Sequence, residues 1–395
     1  MSSRRGGPRV IVVGGGIIGC SCAAELAARG ASVTLVERAE LAAGASGRNH
    51  GLLLSPLDPA LAPMARASAE AYDELSRSSP LPFHLDQEPL GFLLVAGADE
   101  AERASGREEA DAASASGVPV EHLDGSGIHR LEPALATDLV EGWLLRDARR
   151  LDPAALTAAL ALSARAHGAD VRTRTMARSV VGDGDAVRGV ATDDGVLEGD
   201  VVVVAAGPWT PTILRTANVR LPITGGRGWL VHLSPPRPVV TRLVGRAGWH
   251  VVAPGDERVA PTVAADVVDG LPAADTGTLL QPNPDGTILV GGSRQVVMTN
   301  EPEDPALPRH LIREAIRLAP ALADAQLLGA WWGIRPITPD GRPMVGPIRD
   351  GLVVAAGHGP VGVILGAGTG RLVTSLVLNE PPPFDPKPFT PSRFE

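Results

Sequence analysis

The 395-residue sequence has almost no lysine or tyrosine, and these absences exclude several kinds of chemistry. Lys387, near the C-terminus, is the only lysine, and every other basic residue is arginine. A lysine Schiff base, or a buried ammonium group beside a cofactor, is therefore excluded from the folded body. Tyr72 is the only tyrosine, so a pocket built on several phenol groups is also excluded.

Cysteine is nearly absent as well. Cys20 and Cys22 lie two residues apart on a predicted helix, too close for an ordinary disulfide. Two thiols cannot by themselves complete a structural zinc or iron–sulfur site, and we expect no metal. The simplest interpretation is a reduced protein in the cytoplasm.

The composition is that of a folded protein with no polyanionic partner. Hydrophobic residues make up 44% and charged residues 21% of the chain, which excludes disorder for most of it. The net charge is −9 and the basic residues are scattered, so we expect no nucleic-acid surface. The nearly uncharged stretch 351–378 has the length of a membrane span. It contains His358, Arg371 and many glycines and begins like a strand, so no integral membrane segment is expected.

The N-terminal part has the pattern of a βαβ unit. An apolar run at residues 9–13 is typical of a strand buried on both faces. A glycine turn follows, then a predicted helix that extends to about Arg29 and a second strand at 32–37. This order predicts the start of a parallel sheet.

The turn itself carries a dinucleotide-binding motif. Gly14, Gly16 and Gly19 have the Gly-x-Gly-x-x-Gly spacing, with Ile17 and Ile18 between the last two. Such glycines permit a tight turn and bring a pyrophosphate to the positive end of a helix. Glu37 ends the next strand, where an acid about 20 residues further on binds ribose hydroxyls. The alternative is a glycine-rich turn of another α/β fold, but strand, turn, helix and acid in order favour the dinucleotide site.

The remaining chain alternates between two kinds of sequence pattern. Buried strands recur at 200–206 and 352–356, a helix is predicted at about 366–378, and the proline-rich tail from Glu380 is predicted to be extended. Between 221 and 300, strands separated by Pro, Gly and Asp turns predict an antiparallel sheet. The predicted fold is therefore α/β plus antiparallel β. We expect a discontinuous Rossmann-like nucleotide-binding domain (1–85, 146–215 and 326–395) and a mixed, antiparallel-sheet substrate domain (86–145 and 216–325).

Three further stretches resemble a known family. They are ER at 37–38 with GASGRNHG at 44–51, VVAAGPWT at 203–210, and WGIRPITPDG at 332–341 with GHG at 357–359. Together with the glycine turn, they make the chain similar to the FAD-dependent amine oxidoreductases that include D-amino acid oxidase, glycine oxidase and sarcosine oxidase. The similarity runs in order through nearly the whole chain.

This resemblance implies that the cofactor is FAD. The glycine turn would hold the pyrophosphate, Glu37 the adenosine ribose, and Ala177 the adenine through its backbone. Other cofactor contacts are implied for Arg38, for Ser46, Asn49, His50 and Gly51 near the phosphates and flavin face, and for Gly207 and Trp209 at the central nucleotide. The predicted loop at 357–364 would donate N–H groups to the flavin pyrimidine through Gly357, His358, Gly359, Gly362, Val363 and Ile364.

The flavin is expected to be non-covalent. Where sarcosine oxidases attach it through a cysteine, this chain has Gly333, and where dimethylglycine dehydrogenases use a histidine it has Arg48.

Arg335 is the leading candidate for the reacting site. It occupies the position of the family's carboxylate-binding arginine, and its planar guanidinium suits a carboxylate, although a structural salt bridge is the alternative. His50 is either a catalytic group beside the flavin or a packed histidine. Arg227, His250 and Trp332 are further substrate-binding candidates, for which structural roles are the alternative.

The resemblance implies oxidation of the C–N bond of a small amino acid or N-alkyl amino acid. Hydride would pass from the α-carbon to flavin N5, and the resulting imine would hydrolyse to a 2-oxo acid. The alternatives are a 2-hydroxy acid dehydrogenase and the flavin subunit of a larger dehydrogenase. Dioxygen and another electron acceptor both stay open, as do a homo-oligomer and a partner subunit.

Overall fold

The computed structural model describes residues 7–183, 186–248, 275–296 and 305–394. The strands in these ranges are β1 (Arg9–Val13), β2 (Ser32–Val36), β3 (Leu52–Leu53), β4 (Phe92–Ala96), β5 (Val120–Asp124), β6 (Glu141–Leu145), β7 (Arg149–Arg150), β8 (Asp170–Arg172), β9 (Ala177–Asp183), β10 (Ala186–Thr192), β11 (Gly195–Glu198), β12 (Val201–Val204), β13 (Thr224–Ser234), β14 (Leu243–Arg246), β15 (Asp275–Pro282), β16 (Ile288–Val296), β17 (Gln326–Ile337), β18 (Met344–Arg349) and β19 (Leu352–Ala356). The α-helices are α1 (Ile17–Ala28), α2 (Ala62–Ser78), α3 (Glu100–Ala115), α4 (Gly125–Leu131), α5 (Pro153–Ala166), α6 (Thr210–Arg215), α7 (Ala306–Leu318) and α8 (Gly362–Leu378).

A six-stranded sheet forms the nucleotide-binding part, in the order β18-β19-β12-β1-β2-β8. β19, β12, β1, β2 and β8 run parallel, and β18 pairs antiparallel with β19 at one edge. Along β1, Val10 and Val12 enter the core on one face, whereas Ile11 and Val13 enter the core on the other. Burial on both faces explains why these strands are continuous apolar runs rather than alternating ones.

Helices α1, α2, α5 and α8 contribute to the core on one face of this sheet. By length and composition alone, Gly359–Leu378 is apolar enough to cross a membrane, and 72% of its apolar window is buried inside the protein. A core helix has the same composition, because its surroundings are as apolar as lipid.

An eight-stranded sheet forms the second part, in the order β17-β13-β16-β15-β14-β4-β6-β5. Its pairs are antiparallel except β14 with β4. The predicted combination of a parallel nucleotide-binding sheet with a second, mainly antiparallel sheet is confirmed. The domain limits stay a prediction. Since β17 pairs with β13 from Gln326 to Ile337, sheet membership favours a limit after Ile337 rather than at 325/326.

The prediction for the glycine-rich stretch after β19 was wrong in detail. The helix begins at Gly362 rather than near 366, so the predicted loop at 357–364 includes the first turn of α8. The glycines in this helix permit close packing: a Cβ at Gly368 would lie 2.2 Å from the carbonyl oxygen of Met64. They reflect helix packing, and only part of the stretch is a loop.

The C-terminal tail was also predicted incorrectly as extended. Short 3₁₀ turns occur at Lys387–Phe389 and Pro391–Phe394. Phe389 is buried in the core beside α8, and its burial fixes the tail against the nucleotide-binding part.

Candidate cofactor and substrate site

The glycine turn joins β1 to α1 where only small residues fit. Gly14 has a φ of +118°, and a Cβ there would lie 2.4 Å from the carbonyl oxygen of Ala205. A Cβ at Gly19 would lie 1.9 Å from the carbonyl oxygen of Gly14. The turn therefore needs both glycines in order to bring the N-terminus of α1 close to the end of β1.

Two side chains hold this turn in place. The Glu37 carboxylate accepts hydrogen bonds from the backbone N–H groups of Gly15 (2.7 Å) and Ala39 (2.8 Å). Ser46 Oγ accepts one from the N–H of Ile17, at 2.9 Å. The chain thus supports the turn with its own polar groups, and the oxygens of Glu37 keep acceptor capacity for a hydroxyl donor.

An elongated cleft of about 410 Å³ runs from the glycine turn to the eight-stranded sheet. Its walls include most of the predicted cofactor residues: Gly14, Gly16, Ile17, Ile18, Glu37, Arg38, Ser46, Asn49, Ala177, Gly207, Trp209, His358, Gly359, Gly362 and Val363. Gly19 and Gly357 line neither this cleft nor the cavity that continues it, and His50, Gly51 and Ile364 line only that cavity. The sequence motifs did not reveal several other wall residues, among them Met176, Thr212 and Ile213.

Arg38 and Trp209 lie together in the wall of this cleft. The Arg38 guanidinium carbon is 3.8 Å from the centroid of the Trp209 ring. This stacking fixes both side chains and places a positive charge in the wall.

The loop after Ser46 is rigid because Asn49 satisfies its backbone. Asn49 Nδ2 donates to the carbonyl oxygens of Ala45 (2.8 Å) and Ser46 (2.9 Å), and its Oδ1 accepts from the N–H of Gly51 at 2.7 Å. Gly51 has a φ of +67°, and a Cβ there would lie 2.0 Å from the carbonyl oxygen of Leu151. The loop therefore passes close to the chain just before α5.

His358 stands at the start of the turn that leads into α8. Thr369 Oγ1 donates to the carbonyl oxygen of Leu365 at 2.8 Å, so His358 Nε2, 3.0 Å away, donates to that hydroxyl. Burial lowers the pKa of His358 to about 3. The ring is therefore neutral, and the first turn of α8 offers backbone N–H groups without a competing cation.

A second cavity of about 150 Å³ continues the cleft toward the eight-stranded sheet. Seven residues line both spaces: Ala45, Arg48, Asn49, Arg335, Gly359, Pro360 and Val363. The other walls are largely apolar, with Leu52, Leu54, Phe92, Leu230, Ile337, Val361 and Ile364 among them, and include His50 and Gly51. This arrangement gives a nucleotide cleft, with Glu37, Arg38 and Ser46 in its walls, that continues into a smaller, largely apolar chamber.

Arg335 projects from β17 into the chamber. Its Nη1 donates to the carbonyl oxygen of Ser293 at 3.1 Å. The guanidinium lies against Gly228, where a Cβ would be 2.0 Å from Nη1. Burial lowers the pKa of Arg335 to about 10, and the charge of Arg294 adds to this effect. No Asp or Glu of the described residues lines the chamber.

His50 connects the loop to the sheet. Its Nδ1 lies 3.0 Å from Oε1 of Gln281 on β15, a residue that the sequence motifs did not reveal. Burial lowers the pKa of His50 to about 4, against the hydrogen bond with Gln281, and the charge of Arg335 lowers it further. The imidazole is therefore neutral.

Trp332 and Arg227 do not line the chamber. Successive strand residues point to opposite faces, so Gly333, Arg335 and Ile337 of β17 face the chamber whereas Trp332 faces away. Arg227 is next to Gly228 on β13 and lies over the Trp332 ring, 4.9 Å from its centroid. The structure thus separates these two residues from Arg335. His250 lies outside the described residues.

The cleft fits a dinucleotide that ends in a large planar ring. In its glycine turn a Cβ atom would clash with backbone carbonyl oxygens, and Glu37 lies just after β2. The apolar chamber continues from the far end of the cleft. The sheet topology and this site define a dinucleotide-binding oxidoreductase of two-sheet architecture.

Comparison with known proteins gives the family. Residues 9–376 match the model of the FAD dependent oxidoreductase family, and the chain belongs to this family. Its cofactor is FAD. A glycine oxidase of Pseudomonas aeruginosa is 28% identical over 394 residues, covering 97% of this chain and 98% of that protein.

Solved structures agree with this assignment. The glycine oxidase of Geobacillus kaustophilus superposes with a TM-score of 0.83 at 25% identity, covering 98% of this chain and 99% of its own. The L-proline dehydrogenase of P. horikoshii has a TM-score of 0.82 at 22% identity, with 98% of each chain covered, and is similar in fold. The fold predicted from the sequence is therefore that of an established flavoprotein family.

Proposed function

We propose that this enzyme oxidises the C–N bond of a small amino acid or N-alkyl amino acid and releases an imine that hydrolyses to a 2-oxo acid. The observation that carries the proposal is the half-buried Arg335 guanidinium, which faces a largely apolar chamber at the end of the FAD cleft. Two of the proteins named above are glycine oxidases, and this similarity supports an amino acid as the substrate.

A cation that is half-buried in a largely apolar chamber favours an anion as its ligand. Among the described residues Arg335 has no ion pair, and its hydrogen bond to Ser293 uses a neutral carbonyl oxygen. Leaving a guanidinium desolvated and unpaired is costly, so a substrate carboxylate that binds there gains a strong charge-assisted pair. Ser293 and Gly228 fix the plane of the guanidinium before the substrate arrives.

The other residues orient the substrate and exclude water. Leu230, Ile337 and Ile364 form apolar walls around the space beside Arg335. FAD bound in the cleft would supply the hydride acceptor, and Arg335 with the apolar walls would orient the substrate for the transfer. The glycine turn, Glu37 and the loop around Asn49 would hold the cofactor, which we propose to be non-covalent.

The electron acceptor is not part of this proposal. The described chamber contains no lysine, because the only lysine of the chain is Lys387. Both an oxidase and a dehydrogenase stay open, and the cytoplasmic location and a partner subunit stay predictions.

An anaerobic reduction experiment tests the proposal. The purified yellow protein is mixed with glycine, sarcosine, proline, single D- and L-amino acids and, for comparison, 2-hydroxy acids, and the flavin absorption band is followed. We expect one chemical type to bleach the band, and admission of air then separates an oxidase from a dehydrogenase. Bleaching by a 2-hydroxy acid and by no amine would contradict the proposal.

A further inference from the structure

The chamber beside Arg335 contains a second arginine that the proposed carboxylate site does not use. Arg294, on β16, is half-buried and lines the chamber. Its charge helps to lower the pKa of Arg335, so the two cations act on each other within one space. No acid of the described residues lines that space. Whatever else Arg294 contacts, its positive charge is therefore felt in the chamber.

A bulge in β16 turns Arg294 to the chamber face of the sheet. Between Gly291 and Gln295, three residues of β16 oppose two of β13, and Gly292 among them has a φ of +117°. In a regular strand, residues three apart point to opposite faces. The extra residue places Arg294 on the same face as Gly291, which is paired with the chamber residue Leu230.

The strand between the two arginines leaves room for both side chains. β13 lies between β17, which carries Arg335, and β16, which carries Arg294. A Cβ at Gly228 of β13 would lie 2.0 Å from Arg335 Nη1. A Cβ at Gly226 would lie 3.9 Å from Arg294 Cγ. Because β13 has no side chain at these two positions, the arginines approach each other over its backbone from opposite sides.

Arg48 is a third arginine in the chamber walls, but it is held elsewhere. Its side chain is exposed, and its Nη1 donates to the carbonyl oxygen of Trp332 at 3.2 Å. Its guanidinium carbon lies 5.8 Å from the centroid of the Trp332 ring. Solvent screens a charge at such a position, so it contributes less to binding than a half-buried one. The chamber therefore offers its second anion site at Arg294.

We propose that the substrate carries a second carboxylate, and that Arg294 is the specificity-determining residue that binds it while Arg335 binds the carboxylate next to the reacting carbon. This inference rests on the proposed function and deepens it, because it names acidic amino acids or N-alkyl amino acids as the substrate class. A second carboxylate gains a charge-assisted pair in a largely apolar space, whereas a neutral amide at the same place does not.

The test uses acids without an amine, which bind the FAD-bound enzyme but are not oxidised at a C–N bond. Succinate and succinamate have nearly the same shape, but in succinamate a neutral amide replaces one carboxylate. Glutarate and glutaramate form a second pair that is longer by one methylene group. Dissociation constants are measured from the perturbation of the flavin spectrum. In at least one pair, we expect the dicarboxylate to bind wild type about tenfold more tightly or better.

Three variants and one control locate the effect. Arg294→Met keeps the apolar stem and should lower the ratio of the two constants to about two, the statistical factor for an acid with two equal ends. Arg335→Leu should weaken the binding of both members of a pair, and Arg48→Met should leave their ratio unchanged. Arg317→Met removes an exposed arginine of α7 that is paired with Glu314, and it is the matched control.

Flavin reduction gives a second readout on the wild-type enzyme. Aspartate is compared with asparagine, and glutamate with glutamine, each as both enantiomers under anaerobic conditions. We expect an acidic amino acid to bleach the flavin faster than its amide, and Arg294→Met to remove that difference.

The outcomes distinguish this inference from the proposed function. If the acids bind through Arg335 but dicarboxylate and monoamide bind equally, the inference is wrong and the carboxylate site stands. The same holds if the ratio responds to Arg48→Met instead of Arg294→Met. If none of the four acids binds wild type, or if their binding does not respond to Arg335→Leu, the proposed carboxylate site fails, and the inference that rests on it fails too.

Discussion

The nucleotide cleft and the apolar chamber satisfy their polar groups in different ways. In the cleft, Glu37 and Ser46 bond backbone N–H groups of the glycine turn, so the chain supports its own conformation before any ligand binds. In the chamber, Arg335 is half-buried and makes one hydrogen bond among the described residues, to a neutral carbonyl oxygen. The cleft is therefore a preformed cradle, whereas the chamber is stabilised by its substrate, and loss of a chamber group should affect catalysis more than stability.

The largest effect is expected from the charge in the chamber. Arg335→Leu should lower kcat/KM by at least about 100-fold, mainly through KM, because the substrate carboxylate loses a charge-assisted pair. The FAD content should stay nearly unchanged, since Glu37, Ser46 and Asn49 hold the glycine turn and its neighbouring loop without a hydrogen bond to Arg335. Steady-state kinetics with the amino acid found by flavin reduction gives the measurement. Arg178→Leu, which removes an exposed arginine paired with Asp193, is the matched control. Unchanged kinetics of Arg335→Leu would remove this residue from the site.

The next largest effect concerns the cradle, where we expect a loss of stability and of FAD rather than a rise in KM. Gly19→Ala places a methyl group where a Cβ lies 1.9 Å from the Gly14 carbonyl oxygen, so α1 must move away from the turn. We expect a loss of about 3 kcal/mol in the free energy of unfolding and release of FAD. Gly30→Ala is the control, because a Cβ there meets nothing within 4 Å and only its φ of +84° is strained. Thermal melts and the flavin-to-protein absorbance ratio measure both.

The cleft could be predicted from the sequence because its geometry is local. Gly14, Gly19 and Glu37 lie in one βαβ unit, so their spacing alone places them around one turn. The chamber joins β13, β16, β17 and the loop after Ser46. Its His50 is bonded to Gln281 on β15, 231 positions away in the sequence. A single glutamine in a strand carries no signal of such a contact.

The misplaced residues have the same cause. Trp332 and Arg227 are next to chamber residues in the sequence, but the two-residue period of a strand turns them to the other face of the sheet. The pairing of β17 with β13 determines which face lies toward the chamber, and the sequence of either strand alone does not reveal it. Arg335 was predicted because it belongs to a motif of the family. Strand periodicity alone would not have pointed to it.

The part of the protein built on the eight-stranded sheet also contains a buried acid. A negative charge on this acid should lower the free energy of unfolding. Burial of Glu109 on α3 raises its pKa to about 7, against the hydrogen bond it accepts from the N–H of Gly248, and Glu108 adds to the rise. The folded state thus binds a proton more tightly than the unfolded state. The stabilisation that comes from this tighter proton binding is complete below pH 4.5 and is lost as the pH rises toward 7.

Glu109→Gln should therefore remove that pH dependence. At pH 8 we expect the variant to be about 1 to 3 kcal/mol more stable than the wild type, because a neutral amide still accepts from Gly248 without a buried charge. At pH 4.5 the two proteins should be equal. Denaturant unfolding at both pH values measures this, and Glu88→Gln, at an exposed position outside α3, is the control. A variant that is less stable at pH 8 would show that the carboxylate is charged and paired in the folded state.

The smallest effect should come from the rim of the cradle, where groups support each other without depending on the ligand. Arg38 lies 3.8 Å from the centroid of the Trp209 ring in the wall of the nucleotide cleft. Arg38→Met keeps an apolar stem over the ring but removes a positive charge near the FAD phosphates. We expect the FAD dissociation constant to rise about three- to fivefold, close to 0.5–1 kcal/mol, with the melting temperature of the FAD-free protein nearly unchanged. Titration of the FAD-free protein with FAD at two salt concentrations gives the values, and the difference between wild type and variant should shrink at high salt. A loss of FAD binding as large as that of Gly19→Ala would mean that Arg38 holds the cofactor directly, and the cradle would then depend on its ligand as the chamber does.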